Sequence, residues 1–127
     1  MASSQLHKLG LVPGARWTVV GADSGWSFET EPDVATRVSA GQPADVVLAF
    51  AREAAEITTL LERFEGAVFP SGALWIAWPR RAGGHTSDIT DNVVRDAALV
   101  RRLVDVKVAA IDSEWSGLKL VWRKEFR

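Results

Sequence analysis

The stretch DVVLAFAREAAEITTLLERFEGAVFPSGALWIAWP, residues 45–79, decides the fold. Residues 46–51 are apolar at every position, which is typical of a central parallel strand covered on both faces. Residues 53–65 carry one apolar stripe at helical spacing, made of Ile57, Leu60, Leu61 and Phe64. Residues 73–78 form a second strand that is apolar on both faces, with Trp75 and Trp78 on opposite sides. The order strand, helix, strand predicts a parallel pair of strands joined by a crossover.

The segments before this unit carry weaker patterns. The Pro13-Gly14 pair predicts a turn, and residues 17–20 behind it have the composition of a short buried strand. Residues 34–39 alternate as another short strand would. Residues 1–8 have the character of a frayed, flexible terminus. We therefore expect a single domain over residues 9–127.

A helix and a hairpin complete the pattern. We expect the helix to begin near Thr90, whose hydroxyl can accept from a free backbone amide, and to run to about Leu103. Its expected buried stripe consists of Val93, Ala97, Val100 and Val104. Residues 104–111 and 118–124 alternate apolar with polar, which indicates an antiparallel hairpin turning near Asp112. The predicted fold class is a three-layer Rossmann-like α/β domain with a mostly parallel sheet and a C-terminal antiparallel hairpin, similar to the second half of a methyltransferase domain.

The composition restricts the classes of function. The 127 residues carry a formal net charge of −1, which argues against a general nucleic-acid or anionic-membrane surface. The chain has no cysteine, so disulfides, thiolate metal sites and cysteine nucleophiles are excluded. No apolar run approaches the roughly 18 residues that cross a membrane, and the first residues lack a signal-peptide pattern. We expect a cytoplasmic protein.

Several segments carry a family resemblance. The segments LGLVPGARWTVVGAD, ADVVLAF, GALWIAWPRR, TSDITDNVVRDAAL, LVDVKVAAID and WSGLKLVWRK resemble the bacterial family designated domain of unknown function 3052. The resemblance spans nearly the whole chain and implies a small, Rossmann-like, cytoplasmic bacterial protein with no activity to carry over. In that family the loop after the tryptophan-proline pair usually holds two lysines and a serine-glycine. Residues 80–85 read RRAGGH here, so the basic character is kept and the serine is lost.

Residues near the carboxyl ends of the predicted strands form a candidate ligand-binding edge, because open α/β sheets bind ligands there. Its members are Asp23, Trp78, Arg80, Arg81, His85, Thr86 and Asp88. Two arginines, the flexible Gly83-Gly84 pair and the start of the next helix favour a ligand with a phosphate or carboxylate group, since guanidinium groups and free backbone amides bind anions. The alternatives are a solvated loop and a surface for an acidic protein partner.

The turn after the first predicted strand can be compared with the glycine-rich turn that binds the cofactor in methyltransferases. Residues 21–25 read GADSG, and glycines at such a turn let the backbone approach a bound ligand. Asp23 takes the place of the middle glycine, and its charge would oppose a ligand carboxylate. No acidic residue clearly ends a second strand to hold a ribose. We therefore do not expect S-adenosylmethionine as a cofactor, and no enzyme signature surrounds His85.

Six tryptophans are many for this length. Core packing explains most of them, Trp26 could cover a ligand pocket, and a homodimer through Trp115 and Trp122 of the hairpin is an alternative. The leading hypothesis is a non-catalytic binding or interaction protein with an anionic small ligand. The other hypotheses are an enzyme that binds S-adenosylmethionine or a nucleotide, and a structural homo-oligomer.

Overall fold

The six strands of the chain join in one sheet, in the order β2-β1-β3-β4-β6-β5. A computed structural model describes residues 4–127. The helices and strands in chain order are α1 Gln5–Leu9, β1 Arg16–Val20, β2 Thr36–Arg37, β3 Val46–Phe50, α2 Ile57–Phe64, β4 Ala73–Pro79, α3 Asp91–Val100, β5 Leu103–Ala110 and β6 Trp115–Trp122.

The strand pairing confirms the predicted fold class. Strands β2, β1, β3 and β4 are parallel, whereas β6 runs antiparallel to both β4 and β5. All five residues of β3 are buried, because β3 pairs with β1 on one side and β4 on the other and is covered on both faces. An apolar run without alternation is the sequence form that such a strand requires.

The two faces of the sheet are covered differently. On the helical face, α2 and α3 pack Ile57, Leu61 and Val94 against the sheet. On the loop-covered face, α1 and the irregular residues 21–35 cover a second apolar cluster. Trp78 belongs to the first cluster and Trp75 to the second, which confirms that they lie on opposite faces of β4.

Helix α3 confirms the predicted cap and corrects the predicted stripe. The Thr90 hydroxyl accepts a hydrogen bond from the backbone amide of Val93 at 3.3 Å. The buried residues are Val94 and Ala98, whereas Val100 is 86 % exposed. Adjacent apolar pairs at 93/97 and 94/98 fit helical spacing equally well, so spacing could not select the buried pair. The helix also ends at Val100, because Leu103 already begins β5.

The N-terminal residues pack against the sheet instead of fraying. Ser4 caps α1 by accepting from the His7 amide at 3.1 Å. The buried Gln5 side chain donates to the Ile111 carbonyl and accepts from the Glu29 amide, both at 2.8 Å. This one side chain therefore ties α1 to the hairpin and to the irregular segment. Residues 1–3, the rest of the predicted flexible segment, lie outside the described residues.

Two strand boundaries also differ from the sequence prediction. Strand β2 contains only Thr36–Arg37, although residues 34–39 alternate. Strand β6 begins at Trp115, because the Asp112 carboxylate closes the preceding turn by accepting from the amides of Glu114 and Trp115 at 2.8 and 2.9 Å. None of the described helices has the length and apolar character needed to cross a membrane.

We predict that Gln5→Ala lowers the free energy of unfolding by about 1–3 kcal/mol, because it leaves the buried Ile111 carbonyl without a partner and removes a part-buried hydrogen bond to the Glu29 amide. Urea denaturation measures the loss. Gln42→Ala is the matched control, since the Gln42 side chain is exposed and accepts only from the local Ser39 amide. Equal losses in the two variants would contradict the docked position of α1.

Candidate functional site

The carboxyl ends of β1, β3 and β4 meet at one edge of the sheet. From β1 the chain passes to β2 on one side and then to β3 on the other, so the strand order reverses between β1 and β3. Crevices outside the strand ends at such a reversal are the usual ligand sites of open α/β sheets. The residues that follow these strands, beginning with Gly21, Ala51 and Arg80, are therefore the first to consider.

An open cleft of about 350 Å³ lies at this edge. Its lining comes from the segments that follow β1, β3 and β4 and from the start of β6. The lining residues are Asp23, Arg52, Pro79, His85, Glu114 and Trp115. We call this cavity the cleft.

The Arg52 side chain bridges the crevice between β1 and β3. Its guanidinium group donates to the Gly21 carbonyl at 3.0 Å and forms an ion pair with the Asp23 carboxylate. The same group lies over the ring of Trp115, 5.3 Å from the ring centroid. Arg52 is thus held by a carbonyl, a carboxylate and an aromatic ring, although both members of the ion pair stay well exposed to solvent.

A histidine–carboxylate contact joins the loop after β4 to the β5–β6 turn. The His85 Nε2 atom contacts the Glu114 carboxylate. The loop is held against the turn by a hydrogen bond from the Arg80 amide to the Glu114 carbonyl at 2.8 Å. Gly83 permits this approach, because a Cβ atom there would lie 2.7 Å from the Ser113 carbonyl oxygen. The contact therefore brings His85 into the cleft.

The structure gathers two of the seven predicted site residues, Asp23 and His85, in the cleft. Arg80 turns away and donates to the Asp112 carbonyl at 3.2 Å, and Arg81 lines a separate depression near the start of α3.

Three further predicted residues have other positions. Trp78 is buried on the helical face. The Asp88 carboxylate accepts from the Ala54 amide at 2.8 Å and so caps the turn before α2. Thr86 is exposed in the loop.

Sequence reasoning missed Glu114 and Trp115 as members of the cleft. The antiparallel register pairs Trp115 with Pro79, and this places the start of β6 beside the carboxyl end of β4. The signal was present in the predicted antiparallel hairpin, because any strand antiparallel to β4 must begin at that edge. The prediction started β6 at residue 118, which left Trp115 in the turn.

Gly21 has a structural reason for being glycine. Its φ is 75°, and a Cβ atom there would lie 2.7 Å from the Phe50 carbonyl oxygen. Residues 21–35 continue as turns and irregular backbone, where a dinucleotide-binding fold has a helix whose N-terminus receives the pyrophosphate. The crevice that this helix would serve is crossed by Arg52.

The hairpin tryptophans are packed within the chain. Trp115 is 8 % and Trp122 is 7 % exposed, and the Trp122 indole donates to the Glu65 carbonyl at 2.8 Å. These rings therefore offer little surface for the predicted homodimer contact. On the hairpin side, the edge strand of the sheet is β5, whose pairing is irregular between Asp105 and Lys107, a feature that opposes edge-to-edge association.

The perturbed ionisable groups lie away from the cleft. A side-chain hydrogen bond to Asp105 raises the pKa of Arg95, and one to Glu65 raises the pKa of Arg101. Both arginines join α3 or its end to neighbouring elements and serve the architecture. Within residues 4–127, no three histidine, aspartate or glutamate side chains gather closely enough to hold a metal ion.

Comparisons with known proteins support the class that the sheet defines, a Rossmann-like α/β fold. No family model and no curated protein matches the sequence, so the resemblance to domain of unknown function 3052 stays a prediction.

Two solved structures resemble the fold. A protein in the NADB-Rossmann superfamily from Streptococcus agalactiae aligns with a TM-score of 0.54 at 13 % identity, over 96 % of this chain and 69 % of that chain. The Methanococcus jannaschii fibrillarin pre-rRNA processing protein aligns with a TM-score of 0.53 at 10 % identity, over 88 % of this chain and 68 % of that chain. At these identities the likeness concerns the fold alone.

We predict that Asp23→Asn and Glu114→Gln each change the free energy of unfolding by less than about 1 kcal/mol, because exposed ion pairs contribute little to stability. Glu65→Gln should cost more, since Glu65 accepts two hydrogen bonds from Arg101 at 2.8 and 2.6 Å in a less exposed pair. Urea denaturation of the three variants gives the ranking. A decrease above about 2 kcal/mol in the free energy of unfolding of Asp23→Asn or Glu114→Gln would show that the altered pair stabilises the fold.

Proposed function

We propose that the protein is a non-catalytic binding protein that holds a small charged ligand in the cleft. The observation that carries the proposal is the arrangement of four ionisable side chains in two exposed pairs, Arg52–Asp23 and His85–Glu114, at the point where the strand order reverses. Exposed pairs of this kind add little to folding stability. Their position at the ligand edge of an open α/β sheet gives them a use in binding.

The pairing favours a ligand that carries both a positive and a negative group. Each nitrogen-bearing side chain of the cleft faces a carboxylate: the Arg52 guanidinium pairs with Asp23, and the His85 imidazole contacts Glu114. A purely anionic ligand would have to separate a pair and leave a carboxylate without its partner. A zwitterion can exchange both contacts, with its anionic group on Arg52 and its cationic group on Asp23 or Glu114. This changes the sequence prediction of an anionic ligand bound by Arg80 and Arg81.

The lining of the cleft holds no hydroxyl or amine nucleophile. His85 beside Glu114 has the form of a general base with its orienting partner. The other lining side chains offer it no hydroxyl or amine to activate as a nucleophile. An enzyme using S-adenosylmethionine or a nucleotide has less support, because the Arg52 side chain crosses the crevice that such a cofactor would occupy and Asp23 adds a negative charge.

We predict that a zwitterionic ligand found by screening amino acids and related small molecules raises the melting temperature, and that Arg52→Ala lowers its affinity at least tenfold. The charge-assisted hydrogen bond that Arg52 would make with the ligand's anionic group is worth about 1.5–3 kcal/mol, and 1.4 kcal/mol corresponds to a factor of ten. Isothermal titration calorimetry gives the affinities.

Arg81→Ala is the matched control for this titration. It removes the same charge from an exposed position in the next loop and should leave the affinity unchanged. S-adenosylmethionine and nucleotides belong in the same screen. If one of these compounds binds with measurable heat and is also converted, the protein is an enzyme and the binding-protein proposal is wrong. If Arg52→Ala and Arg81→Ala bind the zwitterion with equal affinity, Arg52 does not contribute to the binding site.

A further inference from the structure

A second cavity of about 350 Å³ lies on the loop-covered face, over β1 and beneath the irregular segment. Three aromatic residues line it: Trp17 from β1, and Trp26 and Phe28 from the segment that follows. Asp23, Glu31 and Arg37 also line it, so aromatic rings, carboxylates and one cation surround the same space. We call this cavity the aromatic pocket. Asp23 belongs to both the aromatic pocket and the cleft.

The three rings stand at steep angles to one another. The Phe28 ring lies 5.2 Å from Trp17 at 88° and 5.0 Å from Trp26 at 69°, measured between centroids and ring planes. These are edge-to-face contacts, so the three rings that line the aromatic pocket also pack directly against one another. The Trp26 indole donates to the Asp112 carboxylate at 2.9 Å, and Trp17 is buried. The walls are therefore fixed before any ligand arrives.

A cation already lies against one wall. The Arg37 guanidinium group sits over the Trp17 ring, 5.5 Å from its centroid, because the parallel register of β1 and β2 pairs these two residues. Among residues 4–127, no carboxylate lies within 4.0 Å of the Arg37 side-chain nitrogens. The face of the Trp17 ring is therefore the partner of the Arg37 guanidinium group. Because Arg37 is exposed and forms no ion pair within that part of the chain, an incoming cation can displace it.

We propose that the aromatic pocket binds the quaternary ammonium group of a small ligand, placed against Trp17 in the position that Arg37 now holds. Aromatic faces attract cations through the ring quadrupole, and sets of such faces recognise quaternary ammonium groups. A primary ammonium would bring three N–H donors that need acceptors, whereas a trimethylammonium group has no N–H donor. Glu31 supplies a carboxylate that forms no ion pair within the described chain, in contrast to Asp23, which pairs with Arg52.

Choline and its neutral carbon isostere, 3,3-dimethyl-1-butanol, are the probes that test the charge. Tryptophan fluorescence and amide chemical shifts report binding at millimolar concentrations. We expect choline to bind and to perturb Trp17 and Trp26, and the isostere to bind at least fivefold more weakly, within the range of reported cation–π contributions. Equal affinities for the two probes, or binding of neither, would overturn the proposal.

Three variants locate the site. Phe28→Leu removes one wall and Glu31→Gln removes the free carboxylate, and each should weaken choline binding about threefold to tenfold. Arg37→Ala removes the competing cation and should tighten binding by about threefold or more. Arg63→Ala is the matched control, because the Arg63 guanidinium lies over the Phe64 ring on the helical face at 5.0 Å, and it should change nothing. Near-UV circular dichroism verifies that Phe28→Leu keeps the native packing.

The cleft variants separate this proposal from the proposed function. Glu114→Gln alters the cleft and leaves the lining of the aromatic pocket intact, so choline affinity should be unchanged in it. Choline binding that is lost in Glu114→Gln and retained in Phe28→Leu would place the cation in the cleft and overturn the aromatic pocket. If no zwitterion binds and choline still binds with an affinity that Phe28→Leu weakens, only the proposed function is overturned.

Discussion

The burial of strand β3 between β1 and β4 is the constraint on which the remaining architecture depends. Its five residues are enclosed on both faces and both edges, so helices or loops must cover both sides of the sheet. Both neighbouring strands run parallel to it. Parallel strands end at the same edge. Residues that follow β1 and β3, far apart in sequence, therefore meet there, and the Arg52 side chain reaches Gly21 and Asp23 across that edge.

The unequal cover of the two faces explains where the cavities lie. Helices α2 and α3 cover the helical face with mostly aliphatic side chains, together with Phe64. The loop-covered face relies on aromatic rings instead, and a chain of edge-to-face contacts runs from Trp17 through Phe28, Trp26 and Phe50 to Trp115, with centroid distances of 4.8 to 5.2 Å. Large rigid rings on irregular backbone leave gaps that a helix would close. The aromatic pocket lies at one end of this chain and the cleft at the other.

The sequence predicted the parts of the structure that depend on local periodicity. Strand β3, helix α2 and the Thr90 cap follow from patterns within about fifteen residues, and the structure has them. The burial of Gln5 and the position of Trp115 depend on partners that are distant in sequence: Gln5 donates to the Ile111 carbonyl, and Trp115 pairs with Pro79. The seven predicted site residues do not all line one cavity, and the reason is the same. Arg80 looks free for a ligand in the sequence, and only the fold shows that its guanidinium reaches the Asp112 carbonyl.

Long-range pairing also changes the electrostatic character of the ligand edge. Residues 80–85 taken alone are basic, which favours anions. In the folded chain the cleft holds Arg52 and His85 opposite Asp23 and Glu114, each pair joining residues 29 positions apart. The cleft therefore places two carboxylates directly beside nitrogen-bearing side chains. Carboxylates and nitrogen-bearing side chains that lie side by side can contact both ends of a dipolar ligand, and this arrangement supports the proposal of a ligand with both signs of charge.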